Sequence, residues 1–233
     1  MGVIPTRMFP LGVGHGAPLP YDAEVEYLDS TGIASGSTSY GPYINTGIVP
    51  DADDSLFVLT WTAFRNSSRD SYNGIAGFVP TGASGANSRF VMGMVNNSPT
   101  LYWGISNLNL SGSVSWQSGK KIENQWIHMT GTTATYGYGS SASFSTSITR
   151  YNNTYKPILL FGRNAAATPT VNPEIHPYQK TRIYSARIEN SGSVVRDFIA
   201  VRVGQVGYLY DKVSQTLFGN DGESSFELGP DKT

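Results

Sequence analysis

The feature that most constrains this fold is a succession of short segments with alternating apolar residues, separated by clusters of Gly, Ser, Asn and Pro from Tyr21 onward. Alternation with a period of two is typical of a β-strand with one buried face. Phe57, Leu59 and Trp61 share one face of such a segment. No helical periodicity runs for more than two turns. The pattern therefore predicts an all-β chain.

The predicted strands follow one another without an internal linker, so residues 21–233 are interpreted as one domain. The 26 Gly, 14 Tyr and 10 Phe favour strands joined by turns. Asn190-Ser191-Gly192 has the composition of a hairpin turn. The expected strands span residues 23–29, 42–48, 55–64, 74–79, 88–95, 100–105, 112–117, 125–136, 142–150, 157–163, 180–189, 194–203 and 207–219.

Residues 1–20 differ from the rest, because they contain four Pro and four Gly and no usable periodicity. Such a segment cannot bury an apolar face of its own, so we expect an extended N-terminal arm. It also lacks the charged start and apolar stretch of a signal peptide, which predicts no export by the general secretory route. The arm is expected to bind a neighbouring subunit through its apolar anchors, Ile4, Met8, Phe9 and Leu11.

Composition excludes several classes of function. The 16 Lys and Arg residues are balanced by 17 Asp and Glu, and they are scattered, so the basic surface that nucleic-acid binding needs is missing. The absence of cysteine excludes disulfides, thiolate metal sites and a cysteine nucleophile. No apolar run approaches the length of about 18 residues that a membrane span needs.

Four stretches of the sequence form a recognisable set: Val25–Gly32 with Tyr43–Ile48, Trp126–His128, Leu159–Asn164, and the run Arg182–Ser185, Val195–Arg202, Gly207–Val213, Phe218–Asn220 and Leu228–Asp231. They resemble a concanavalin A-like, laminin-G-like domain family that is often encoded in gut bacteria and their phages. The order and spacing of the stretches match this family from about residue 24 to residue 231, although the segment Ile33–Pro42 is an insertion and Val201 replaces a common cysteine.

This resemblance implies a jelly-roll sandwich of two antiparallel sheets. In related lectins and glycanases the concave face carries the sugar site, but most members of the family have no assigned activity. Fold alone therefore does not determine the function.

Three acids, Glu24, Glu26 and Asp29, have the spacing i, i+2, i+5 that retaining glycanases use to place two carboxylates about 5–5.5 Å apart. Here the order of Glu and Asp is permuted, and the resemblance assigns these residues to the first edge strand. We therefore expect a solvated edge whose charges discourage sheet pairing. The expectation is a protein that is not an enzyme.

Asp51, Asp53 and Asp54 lie in one turn, as calcium ligands often do. No Gly follows at the sharp turn of a calcium loop and no bidentate Glu follows it, which favours a polar turn that introduces the next strand. No metal is predicted. No Gly-rich phosphate loop follows a strand either, so no cofactor is expected.

The three histidines, His15, His128 and His176, are far apart and lack the spacing of metal ligands or of a catalytic triad. His128 lies two residues after Trp126 and is expected to pack beside a core tryptophan.

The aromatic residues provide the best indication of function, because sugar rings stack on aromatic side chains and their hydroxyls bind polar neighbours. Tyr102, Trp103 and Trp116 lie in a stretch rich in Asn and Ser, and they are the candidate glycan contacts. Alternation places Trp103 toward the core with Leu101 and Ile105, which leaves Tyr102 and Trp116 freer.

Two functional interpretations remain open. The first is a non-catalytic virion surface protein of a phage (a capsid decoration, head-fibre or tail-associated subunit), assembled in the host cytoplasm. Its expected partners are other virion proteins bound through residues 1–20, further copies of itself in a homo-oligomer, and a host surface glycan. The alternative is a glycan-binding module on a bacterial cell surface, or a glycanase relative.

Overall fold

The computed structural model describes residues 18–31, 41–51, 53–64, 73–78, 89–94, 100–106, 108–115, 117–139, 142–148, 156–164, 173–174 and 180–233. Throughout these ranges the regular structure consists of β-strands, which confirms the all-β prediction. The same ranges contain no helix long and apolar enough to cross a membrane. The arm residues Ile4, Met8, Phe9 and Leu11 lie outside the described residues.

The strands, in chain order, are β1 (Ala23–Glu24), β2 (Leu28–Asp29), β3 (Ile44–Asn45), β4 (Asp54–Ala63), β5 (Asn73–Phe78), β6 (Arg89–Met94), β7 (Thr100–Ser106), β8 (Leu108–Ser115), β9 (Lys121–Thr130), β10 (Thr133–Tyr138), β11 (Ala142–Ser147), β12 (Leu159–Leu160), β13 (Arg163–Asn164), β14 (Pro173–Glu174), β15 (Thr181–Asn190), β16 (Ser193–Val203), β17 (Val206–Asp211), β18 (Thr216–Phe218) and β19 (Glu227–Leu228).

The larger sheet is antiparallel and has the strand order β11-β10-β9-β4-β15-β16-β17-β18. The strands β15 and β16 pair only from Ser185 and Ile199 to their connecting turn. Beyond that point β1 pairs with β16, and β2 pairs with both β15 and β19. The first strands, β1 and β2, and the last strands, β16 to β19, therefore lie in one sheet.

The smaller sheet has the order β14-β13-β5-β6-β7-β8, and β12 and β3 join it beside β5. It is antiparallel apart from one parallel bridge between Asn164 and Phe78. Its apolar face packs against the larger sheet. The rings of Phe57 and Phe90 lie 6.3 Å apart between the sheets, and those of Trp103 and Tyr136 lie 5.1 Å apart. The two sheets thus form a β-sandwich.

Two of the predicted strands contain a turn. The segment 125–136 is divided at Gly131, whose φ of +61° is one that glycine adopts without strain. The segment 207–219 is divided because the buried carboxylate of Asp211 accepts hydrogen bonds from the backbone N–H groups of Val213 and Ser214. Side-chain hydrogen bonding of this kind stabilises a turn within a run that otherwise alternates.

Candidate functional site

A β-bulge in β9 lies beside Thr60 of the central strand β4. Leu59 pairs with Gln125 and Trp61 pairs with Ile122. Two residues of β9, Glu123 and Asn124, therefore lie opposite the single residue Thr60. Asn124 has a φ of +49°, a left-handed conformation in which Asn is among the tolerated residues. Oγ1 of Thr60 accepts the Asn124 N–H at 3.1 Å and donates to Asn124 Oδ1 at 3.3 Å. Thr60 thus holds the bulge in place.

A second bulge lies on the other side of β4 at the same level. Ile183 pairs with Trp61 and Ser185 pairs with Thr60, so Tyr184 is the extra residue of β15. The Tyr184 hydroxyl and Oγ1 of Thr62 form a hydrogen bond of 3.2 Å. Bulges bend a strand and change the direction of its side chains, and they are frequent beside functional sites. Two of them flank one residue of this sheet.

An open groove of about 680 Å³ lies over the two bulges. It occupies the face of the larger sheet that points away from the smaller sheet, because Thr60 and Ser185 alternate with the core residues Leu59 and Ala186. The groove is lined by Glu26, Thr60, Lys121, Glu123, Asn124, Tyr184, Ser185, Ile199 and Lys232.

Two of the lining residues, Lys121 and Tyr184, belong to a stack of cationic and aromatic side chains, which we call the cation–aromatic stack. Lys121 Nζ lies 4.7 Å from the ring centre of Tyr184, and that ring meets Tyr27 edge-on with a centroid distance of 5.3 Å. The guanidinium of Arg182 lies 4.3 Å from the centre of Tyr27 and 4.7 Å from the centre of Phe64. Each contact of this kind is attractive, and the stack therefore orients Tyr184.

Asp29 is joined to this stack through its ion pair with Arg182. Its carboxylate is buried and accepts hydrogen bonds from Arg182 at 2.9 Å, as well as pairing with Lys180 at 3.2 Å. Burial alone would lower the pKa of Lys180 and of Arg182. The hydrogen bonds of these side chains with Asp29 outweigh the effect of burial, so both pKa values are raised. The prediction of a solvated edge is therefore wrong at Asp29, because β2 lies between β15 and β19 and the carboxylate is enclosed.

The charged groups that line the groove are only partly paired. Lys121 forms an ion pair of 3.1 Å with Glu123, and Lys232 forms one of 3.3 Å with Glu24. Glu26 is exposed, and its carboxylate makes no ion pair or hydrogen bond with any described residue. The groove therefore contains one uncompensated carboxylate.

Trp126 and His128 lie on the same outward face as the groove. Both are half-buried, whereas Gln125, Ile127 and Met129 between and beyond them face the core. The prediction of a histidine packed beside a core tryptophan is therefore wrong. The bulge at Glu123 and Asn124 shifts the alternation of β9 by one residue, which is the physical reason.

His128 does not form a catalytic relay with its neighbours. Its Nε2 contacts Oδ1 of Asp54 at 2.8 Å and Oγ1 of Thr130 at 3.1 Å. A triad needs the carboxylate and the hydroxyl on opposite ring nitrogens. Both contacts use the same nitrogen here, so this arrangement supports a structural link between β4 and β9.

The side chain of Asp51, just before β4, accepts hydrogen bonds from groups in and near its own turn. Oδ1 of Asp51 accepts the Asp53 N–H at 2.8 Å, and Oδ2 accepts the Ser191 hydroxyl at 2.5 Å. This is the polar turn that the sequence predicts. In the part of the chain that the structure describes, no three His, Asp or Glu side chains form a group suited to a metal ion.

Of the three predicted glycan contacts, only Trp103 has a described side chain, and the prediction is wrong for that residue. Trp103 is fully buried in the core against Tyr136, as alternation with Ile105 indicates, and it has no exposed ring face. The side chain of Tyr102 and all of Trp116 lie outside the described residues.

The spacing of isoleucines in two strands indicates the bulges beneath the groove, although composition and motifs do not. Ile122 and Ile127 of β9 are both in the core although they are five residues apart, and the same is true of Ile183 and Ile188 in β15. An odd spacing puts two residues on opposite faces of a regular strand. Both pairs can face the core only if each strand contains a bulge, so the spacing predicts the two bulges but not that both lie beside Thr60.

No protein-family model matches this sequence, and no curated protein is similar to it. The resemblance to concanavalin A-like, laminin-G-like domains therefore stays a prediction. The functional argument rests on the groove itself.

Proposed function

We propose that this chain is a non-catalytic binding protein that holds a host surface glycan in the groove over the two bulges. The observation that carries the proposal is the placement of the Tyr184 ring beside the polar groups of Thr60, Asn124 and Ser185. An aromatic ring suits the apolar C–H face of a sugar, and fixed amides and hydroxyls suit its hydroxyl groups. The amide nitrogen of Asn124 makes no hydrogen bond with a described residue, so its donors are free for a ligand.

The arrangement of carboxylates favours binding over hydrolysis. A glycosidase needs a carboxylic acid that stays protonated, which a desolvated environment provides. Glu26 and Glu123 both line the groove, but both are exposed, and Glu123 is paired with Lys121. These features support a role in recognition.

The setting that we propose is the surface of a phage particle, with the sandwich built as a jelly roll and residues 1–20 as its attachment arm. The support is the resemblance across residues 24–231 together with the proline-rich composition of the arm.

The proposal is tested by titrating the protein with neutral oligosaccharides, such as the hexamers of N-acetylglucosamine and of glucose, in a calorimeter. We expect Tyr184→Ala to weaken binding about tenfold, which corresponds to about 1.4 kcal/mol. Tyr184→Phe keeps the ring and should retain most of the affinity. Lys120→Ala, at an exposed residue that does not line the groove, is the control.

Two results would contradict the proposal. Equal affinity of Tyr184→Ala and the unaltered protein would exclude the groove as the binding site. Release of new reducing ends from any of the oligosaccharides would show that the protein is an enzyme.

A further inference from the structure

We infer that the ligand of the groove carries a protonated amine and that Glu26 is its counter-ion. The inference rests on the proposed function only in placing the ligand in the groove, and it adds the chemical class of that ligand. Amino sugars with free amino groups are the glycans that meet this requirement.

The first step is the balance of charge around the groove. The lining contains two carboxylates, Glu26 and Glu123, and two ammonium groups, Lys121 and Lys232. Glu24 lies outside the lining and pairs with Lys232, so these five groups together carry one excess negative charge. The adjacent cluster does not change this balance, because its two basic groups are matched by two carboxylates: Lys180, Arg182, Asp29 and Glu227.

The second step is that this excess is localised. Lys121 and Lys232 each have a carboxylate partner within 3.3 Å, whereas Glu26 has no described partner. An acidic sugar would bring a second anion close to Glu26 and would find both lysines already paired. Like charges at such a distance repel, so the groove disfavours carboxylated and sulfated glycans.

The third step is that the groove already accommodates a primary ammonium. Lys121 Nζ lies over the Tyr184 ring at 4.7 Å and also pairs with Glu123 at 3.1 Å. An aromatic face beside a carboxylate is the environment that favours an alkylammonium. Glu26 lines the same groove and offers the ammonium group of a ligand a carboxylate that pairs with no described cation.

The inference is tested with four probes: the hexamer of glucosamine, the hexamer of N-acetylglucosamine, a hexamer of galacturonic acid, and a tetralysine peptide. The variant is Glu26→Gln, and the matched control is Glu223→Gln, at an exposed glutamate that does not line the groove. We expect Glu26→Gln to weaken binding of the glucosamine hexamer about fivefold, the upper range for an exposed ion pair. Raising the salt concentration should weaken the same complex, and the acidic hexamer should not bind.

The outcomes separate this inference from the proposed function. Binding of the N-acetylated hexamer with no effect of Glu26→Gln on the glucosamine hexamer would overturn the inference and leave glycan binding in place. Binding of tetralysine through Glu26, without binding of any oligosaccharide, would support a ligand with a protonated amine and would contradict the proposal that the ligand is a glycan. If no probe binds, both are overturned.

Discussion

The indole Nε1 of Trp61 donates a hydrogen bond of 2.6 Å to Oε1 of Gln125, and both side chains are fully buried. The bond joins β4 to β9 on the core side of the sheet, just past the bulge at Asn124. It fixes the step in register that creates the groove on the opposite face. A buried polar pair of this kind specifies one register, because any slip leaves a donor and an acceptor without partners.

Replacing Gln125 with Leu should lower the free energy of unfolding by about 1–3 kcal/mol, because the buried indole N–H of Trp61 loses its acceptor. The variant Trp61→Phe removes this donor, so the double variant should be more stable than the sum of the two single changes predicts. Urea unfolding of the four proteins gives the coupling as a double-mutant cycle. Additive effects would show that the hydrogen bond contributes nothing to stability.

Asn124 is predicted to tolerate glycine but not a β-branched residue. Its φ of +49° is accessible to glycine without strain, whereas valine there should cost about 1–2 kcal/mol. Asn124→Gly should therefore keep the midpoint of thermal unfolding close to that of the unaltered protein while weakening oligosaccharide binding, since the amide is lost. Calorimetry on both variants separates the effects. A stable Asn124→Val protein would contradict the role assigned to the bulge.

Lys156 is fully buried, and its ammonium group makes no hydrogen bond with the described residues. Burial lowers the pKa of this lysine. We expect Lys156→Met to raise the free energy of unfolding by about 1–3 kcal/mol at neutral pH, because the ammonium group is buried and has no partner among the described residues.

The stabilisation by Lys156→Met should decrease as the pH rises. Between the lowered pKa of folded Lys156 and its ordinary value of about 10.5, the unfolded chain binds more protons than the folded one. The unaltered protein therefore becomes more stable as the pH rises through this window, and the advantage of Lys156→Met shrinks. Urea unfolding at several pH values measures this, with Lys120→Met as the control for loss of an exposed lysine. A constant difference would contradict the assignment.

Asp211 should contribute to stability above acidic pH. Burial alone would raise the pKa of this carboxyl, but hydrogen bonds from the Asp197, Val213 and Ser214 backbone and from the Ser214 hydroxyl lower it below its usual value of 3.8. The contribution is present above that value and is lost as the pH falls through the lower folded pKa.

Asp211→Asn should accordingly cost about 2–3 kcal/mol at neutral pH, because charged acceptors form the stronger hydrogen bonds. The difference from the unaltered protein should disappear in strong acid, where both side chains are neutral. Unfolding curves between neutral and acidic pH test this expectation, and Glu223→Gln serves as an exposed control. An equal loss of stability at every pH would mean that charge plays no part.

Removal of residues 1–20 should leave the sandwich folded. The chain joins the larger sheet directly after this segment, since Tyr21 packs on Tyr210 at 5.0 Å and the Asp22 N–H bonds to the Arg202 carbonyl. We expect the truncated protein to unfold at a similar temperature but to lose oligomerisation or incorporation into particles. Normal assembly of the truncated protein, measured by light scattering, would contradict the proposed attachment role.

Sequence alone predicts the class of fold, the approximate positions of most described strands and the polar turn before β4. Alternation carries that information, because the two faces of a strand differ in burial whatever its partners are. Alternation places Trp61 on one face with Phe57 and Leu59, and it favours the core for Trp103, which is also a candidate glycan contact from sequence alone. Both indoles are fully buried.

The set of residues that forms the groove depends on tertiary structure. Thr60, Asn124 and Tyr184 are distant in sequence and meet because two bulges fall at the same level on either side of β4. The bulge in β9 also brings Trp126 to the outward face, against the expectation from the sequence. The enclosure of Asp29 likewise follows from strand pairing between distant segments. The pattern of residues along one strand specifies which of its side chains share a face. The register between two strands also depends on the neighbouring strand, and the packing of the whole sheet determines which strand that is.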